Sequence, residues 1–245
     1  MEQSEKILDV PVDLITVSDI ISDIPNYVNQ QKKMTLTSIN PQILLVAQKN
    51  QQVKRFLVES THRFADGIGV VKVSKWTKGR IKTRVPGIEV MEQVLKYAAE
   101  NQLSTYFYGA KSEVVEQAIS NFKKEYQNLI VAGYTDGYTK KSESELVNEI
   151  NEKKTDILFV ALGSPKQEEW LEKNMPHLNC LIFQTIGGSL DVKSGFTKRA
   201  PDVWIKLNLE WVYRSFSNPK RLYRILQVPE FVFKSLLWRL KHKES

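Results

Sequence analysis

The chain has 245 residues, 42% of them hydrophobic, enough for one large domain or two small ones with a packed core, which excludes a disordered protein. Its net charge of +7 is uneven: residues 193–245 hold 12 Lys and Arg against 4 Asp and Glu, a net of +8 that leaves −1 for residues 1–192. An anionic partner is therefore expected at the C-terminal end of a near-neutral body.

A single cysteine, Cys180, excludes an internal disulfide and points to a reducing compartment. The N-terminal residues lack a signal-peptide pattern and no apolar run reaches bilayer length, so a cytoplasmic protein that does not cross a membrane is expected.

In chain order, Ser18 is placed to cap a helix running through Gln31, "MTLTSIN" reads as a strand, and Pro41 opens a helix at "PQILLVAQKN". Next, "RFADGIGVV" sets Asp66 between apolar residues and ahead of two glycines. Two roles fit that acid. It can cap a short helix over Ile68 to Lys75, or it can face an open cleft and accept a proton, with the glycines letting backbone approach a ligand.

Pro86-Gly87 then precedes the amphipathic "IEVMEQVLKYAAEN". From Ser104 to Gly188, the strand runs "TYFYGA", "LIVAGY", "DILFVALG" and "CLIFQTIGG" alternate with the helical "SEVVEQAISNFKKEY", "SESELVNEINEKK" and "KQEEWLEKN". This alternation predicts an α/β fold with a parallel sheet flanked by crossover helices. The four strand runs are continuously apolar, so both faces of each are expected to be covered. Last, "VPEFVFKSLLWRLKHK" reads as a basic helix whose Phe231, Phe233, Leu236, Leu237, Trp238 and Leu240 lie in a membrane interface or pack on the core or a second subunit. The charge balance changes near residue 195, dividing a core (1–195) from a basic helical appendage (196–245).

Ligands of open parallel sheets bind outside the carboxyl ends of the strands. Those ends carry Thr37 and Asn40, Gly109, Asp136-Gly137-Tyr138, Gly163 with Pro165 to Gln167, and Gly187-Gly188 with Asp191. Taken singly, the glycines read as turn formers, Asp136-Gly137 as a turn pair, Asn40 as a cap and Gln167 as a solvent-facing helix residue. Their repetition at every strand end favours a cradle whose backbone amides reach a nucleotide diphosphate.

The dinucleotide, P-loop and nucleophile-elbow glycine motifs are missing, and His62, His177 and His242 show no metal spacing. Without an Asp-x-Asp pair, a sugar-nucleotide transferase of this sequence needs positive side chains in place of a metal at the leaving diphosphate.

In order along the chain, "TSIN", "FADGIGVV", "RVPGIEVME", "YFYGAKSEVVEQA", "DILFVALGSPKQEEW", "TIGGSLDVKSGFTKRAP" and "LEWVYRSFSNPKRLYR" resemble the WecG/TagA/CpsF family of glycosyltransferases. The resemblance implies a Rossmann-like core, an appendage that reaches the membrane and completes the site, self-association into a homo-oligomer, and neither metal nor cofactor. It implies inverting transfer of N-acetylmannosamine from its UDP donor to the 4-hydroxyl of N-acetylglucosamine on undecaprenyl diphosphate. The setting it implies is wall teichoic acid linkage-unit synthesis at an anionic membrane surface, the inner face of the plasma membrane.

On this resemblance Asp66 matches the general base, and Thr37, Arg84 and Gln167 fall on pocket-lining positions. Asn40, Gly109, Asp136, Gly137, Tyr138, Gly188 and Asp191 become donor contacts. Arg214, Arg221 and Arg224 match appendage arginines, whose planar guanidinium groups suit a lipid-linked diphosphate. The donor sugar stays open among related UDP-sugars, because one or two contacts choose between them. Two other classes compete. A Rossmann-type oxidoreductase lacks its glycine fingerprint here, and a nucleic-acid-binding protein would use a tail that also looks membrane-seeking, so no nucleic-acid partner is expected.

Overall fold

The computed structural model describes residues 4–197, 200–201, 203–204, 213 and 223–242, the last segment with side chains from 227 onward. The first described elements form an antiparallel hairpin, β1 (Ser4–Ile7) and β2 (Val10–Asp13). It was missed from the sequence, because the turn pairs Asp9, at φ of 65°, with Leu8 at φ of 51°, a position usually filled by Gly, Asn or Asp.

After α1 (Val17–Asn29) come β3 (Met34–Ile39), α2 (Pro41–Ala47), α3 (Gln51–Glu59), β4 (His62–Ala65), α4 (Ile68–Trp76) and α5 (Gly87–Glu100). The second half continues as β5 (Ser104–Gly109), α6 (Ser112–Glu125), β6 (Ile130–Thr135), α7 (Glu143–Glu152), β7 (Ile157–Ala161), α8 (Lys166–Asn174), β8 (Ile182–Thr185) and α9 (Ser189–Lys193). Strands β3 to β8 form one six-stranded sheet in the order β4-β3-β8-β7-β5-β6, every pair parallel. The α/β architecture with a parallel sheet between helices is as expected.

Two local expectations change. Thr16, not Ser18, caps α1, because Thr16 and Asp19 exchange side-chain and backbone bonds in a reciprocal box. Strand β6 is also not covered on both faces: it is an edge strand with Ile130 and Tyr134 exposed, despite its apolar sequence.

The helices sort onto two faces, each with its own core. On one, α1, α5, α6 and α9 bring Ile20, Val94, Phe122 and Leu190 against Leu36, Phe107 and Phe159 of the strands. On the other, α2, α3, α4, α7 and α8 bring Leu44, Phe56, Val70, Ile150 and Leu171 against Ile39, Leu158 and Val160. The last helix, α10 (Tyr223–Lys241), joins this second core through Phe231, which is fully buried. No helix among the described residues is long and apolar enough to cross a membrane.

Candidate active site

Strands β3 and β8 are neighbours, yet the chain leaves β3 for α2 on one face and leaves β8 for α9 on the other. Loops that diverge in this way open a crevice at the carboxyl ends of the strands. Asp66 stands one strand away, directly after β4.

The backbone of Asp66 is fixed by its N–H, which donates to Ile39 O at 2.9 Å and extends the β3–β4 ladder by one step. Arg84 reaches back from the segment before α5, its Nε donating to Asp66 O at 2.7 Å and its guanidinium 3.5 Å from Asp66 Oδ1. Both side chains keep some access to solvent, 27% for Asp66 and 19% for Arg84. The capping position of α4 falls on Gly67, not on Asp66.

The two glycines also have a role other than ligand approach. A Cβ on Gly67 would sit 2.6 Å from Pro41 Cδ, and one on Gly69 would sit 2.9 Å from Pro41 Cγ. Their absence lets the first turn of α4 pack against the first turn of α2, which sets the direction in which the chain leaves Asp66.

Gly87 completes this corner. A Cβ there would lie 3.4 Å from Asp66 Oδ2 and 3.6 Å from Ser38 Cβ, so the site also includes half-buried Ser38, which sequence reasoning passed over inside "TSIN". Gln184 was missed as well. Fully buried in β8, it donates through Nε2 to Gly87 O at 3.1 Å and so holds the floor beneath Asp66. The available signal was an amide within the apolar run "CLIFQTIGG".

On the other face, Thr37 is fully buried in β3 with its hydroxyl 3.3 Å from Ser60 Oγ. The Leu36–Gln184 pairing puts Thr37 beside Thr185 on that face, and Thr185 Oγ1 is buried without a hydrogen-bond partner. Gln167 is not solvent-facing. Its Oε1 accepts from Gly187 N at 3.1 Å and its Nε2 donates to Glu168 Oε1 at 2.7 Å, tying α8 to the loop before α9. Glu168 is 2% exposed, and burial pushes its carboxyl up to about 7, against the lowering effect of the Gln167 hydrogen bond. Ser164 Oγ is buried close by and also favours the charged carboxylate, so a knot of buried polar atoms gathers at the ends of β7 and β8.

Other expected residues stand apart. Asn40 caps α2, accepting from Ile43 N at 3.1 Å. Gly109 is needed for the fold itself, since its φ is 123° and a Cβ would meet Ala161 O at 2.6 Å. Asp136, Gly137 and Tyr138 form a turn after β6, with Tyr138 N donating to Asp136 Oδ1 at 2.7 Å and Gly137 N to Ala110 O at 2.8 Å. That turn is at the opposite sheet edge, five strand spacings or roughly 24 Å from the strand before Asp66. Gly188 and Asp191 belong to the start of α9, nearer the crevice.

Arg214 and Arg221 lie outside the described residues, as does the side chain of Arg224. Among the described residues no group of three or more His, Cys, Asp or Glu could hold a metal. Cys180 is buried, and that burial pushes its thiol up to about 12, which suits an inert core residue.

An acid presented beside an arginine at the end of a parallel strand is suited to deprotonate a hydroxyl next to a departing anion. Residues 5–245 match the glycosyl transferase WecG/TagA/CpsF family. The chain belongs to this family. It is therefore a glycosyltransferase, and curated relatives are similar to it over nearly their whole length. One from Bacillus subtilis (strain 168) is 34% identical over 244 residues, covering 99% of this chain and 94% of the relative. Another from Staphylococcus aureus (strain MW2) is 34% identical over 241 residues, covering 98% and 94%. Both carry the name N-acetylglucosaminyldiphosphoundecaprenol N-acetyl-beta-D-mannosaminyltransferase. Family membership covers the α10 segment too, since the match runs to the last residue.

Proposed function

We propose that the protein transfers N-acetylmannosamine from UDP-N-acetylmannosamine, with inversion and without a metal, to the 4-hydroxyl of N-acetylglucosamine on undecaprenyl diphosphate. The product would serve wall teichoic acid linkage-unit synthesis. The names of the relatives support the acceptor and the sugar, and the observation that carries the chemistry is Asp66 held beside Arg84 with Oδ2 toward Gly87 and Ser38.

In this mechanism the acceptor oxygen attacks the anomeric carbon from the face opposite UDP while its proton passes to the Asp66 carboxylate. The bond from the anomeric carbon to the diphosphate oxygen breaks, and its electron pair leaves with UDP. Arg84 orients Asp66 and adds positive charge near the departing diphosphate. Thr37, Gln167 and the α9 loop with Gly188 and Asp191 line the crevice for the donor, while Arg214, Arg221 and Arg224 of the 196–245 appendage serve the lipid diphosphate.

The outer face of α10 supports membrane association. Phe233, Leu237 and Leu240 are exposed, with Lys241 among them, opposite the buried Phe231 and Ser235. Self-association is part of the same proposal.

The test is UDP release from UDP-N-acetylmannosamine with a short-chain lipid diphosphate bearing N-acetylglucosamine. Asp66→Asn, folded by circular dichroism, is expected to lose ~100- to 10,000-fold in rate, and EDTA-treated wild type is expected to keep its rate. A mutant as fast as wild type removes Asp66 as the base.

A further inference from the structure

We propose that α4 and the loop after it form a docking surface for the anionic face of a lipid bilayer, separate from the outer face of α10. The inference rests on the membrane-borne acceptor proposed above. Residues 67–88 contain six Lys and Arg and no Asp or Glu, although the core as a whole carries almost no net charge. Lys72, Lys75, Lys78 and Lys82 are all exposed, and among the described residues none of these four makes an ion pair. Trp76 stands among them at 58% exposure, an amphipathic ring of the kind that sits at headgroup level in a membrane interface.

The fold presents this surface in a fixed way. Val70, Val73 and Ser74 turn inward on α4, so helical periodicity sends Lys72, Lys75 and Trp76 outward. The loop is pinned from below by Glu5, whose Oε2 accepts from Ser74 Oγ and Arg80 N at 2.7 Å each and from Ile81 N at 3.2 Å, with Ile81 buried. Lys78 and Lys82 therefore project from an anchored segment.

The occupant follows from the side chains exposed in the patch and on the helix packed beside it. α10 packs directly on α4: Phe231 lies against Gly69, and Val73 and Thr77 share a narrow gap with Ser235, Trp238 and Arg239. Lysines alone would suit any polyanion, including a nucleic acid. A phosphate backbone has no use for the exposed Trp76, nor for Phe233, Leu237 and Leu240 on the outer side of α10, whereas an anionic leaflet takes lysines at its headgroups and Trp and aliphatic side chains at its acyl boundary. A lysine near such a surface strengthens binding by about fivefold.

The experiment is partition of the full chain onto phosphatidylcholine vesicles with and without phosphatidylglycerol. Three forms are compared: wild type, K72Q/K75Q/K78Q/K82Q, and a charge-matched control, K123Q/K124Q/K140Q/K153Q, altered on exposed lysines elsewhere. The first variant is expected to lose at least tenfold in partition to the anionic vesicles, the control less than twofold, and Trp76→Ala a few-fold on its own. Equal losses in both lysine variants would reduce the effect to net charge and overturn the proposal. So would unchanged binding by the first variant, or binding of duplex DNA that competes fully with the vesicles.

All forms are also assayed without vesicles for UDP release on the short-chain acceptor, where the first variant should keep the wild-type rate. A loss there would make the patch part of the acceptor site and overturn the proposal. If wild type released no UDP yet showed the expected vesicle pattern, the transferase chemistry would fail while the docking surface stood.

Discussion

Asp66 is held by the β3–β4 ladder at its N–H, by Arg84 at its carbonyl and carboxylate, and by the packing of Gly67 behind it. Arg84→Lys should therefore cost more than a lost charge, since an ammonium cannot reproduce the Nε bond and the guanidinium contact together. We expect UDP release to fall ~10- to 100-fold, and the melting temperature to drop by a few degrees, since a charged hydrogen bond of the fold is weakened as well. Glu168 makes a different prediction. The folded protein keeps a proton that the unfolded chain gives up between pH 4.5 and about 7. Its contribution to stability is therefore full below pH 4.5 and is lost as pH rises through about 7. Glu168→Gln removes that slope: unfolding free energies of mutant and wild type in urea should meet near pH 4.5 and separate in the mutant's favour by about pH 8, by up to ~3 kcal/mol. A difference that does not vary with pH would mean that Glu168 titrates as an ordinary surface acid.

Among the elements, α4 and α2 meet at their first turns, where Gly67 and Gly69 leave room for Pro41. Gly67→Ala places a methyl within 2.6 Å of a proline ring, and neither helix start can yield without moving Asp66. An overpacking cost of ~1–3 kcal/mol is expected in urea unfolding, with a lowered midpoint and an unchanged slope. Phe231 is the buried anchor of α10, with Trp238 Nε1 donating to Asp9 Oδ1 at 2.8 Å farther along. Phe231→Ala should remove up to ~3–5 kcal/mol of packing from the fold and should expose the α10 segment to limited proteolysis before the core is cut. The packing reading of the last helix holds for one side of it, and the other side is left for the membrane proposed above. Helical spacing sends Phe231 and Ser235 to the core and Phe233, Leu237 and Leu240 outward.

For the molecule as a whole, α4 and α10 pack on each other and each exposes lysine together with large apolar side chains. A triple variant Phe233→Ser, Leu237→Ser and Leu240→Ser touches only exposed positions of α10. Its stability should stay within ~0.5 kcal/mol of wild type per site, while its sedimentation with anionic vesicles falls severalfold. Unchanged sedimentation would return these residues to an interface with a second copy.

The kinds of element, the parallel sheet, the family and the position of the acid were all legible in the sequence, because apolar periodicity, proline and glycine punctuation and the ordered motifs are local. The hairpin of β1 and β2 was not, since its turn puts Leu8 at a left-handed position beside a single turn residue, Asp9. Nor could local patterns decide strand order, which separates Asp136 through Tyr138 from Asp66 by the width of the sheet while bringing β3 against β8. Gln184 meets Gly87 across 97 residues of sequence, and Gln167 meets Gly187 across 20. Such contacts exist only after two apolar faces have closed on the sheet, because it is the packing of distant segments, and not the preference of any one of them, that selects which strand ends share a crevice.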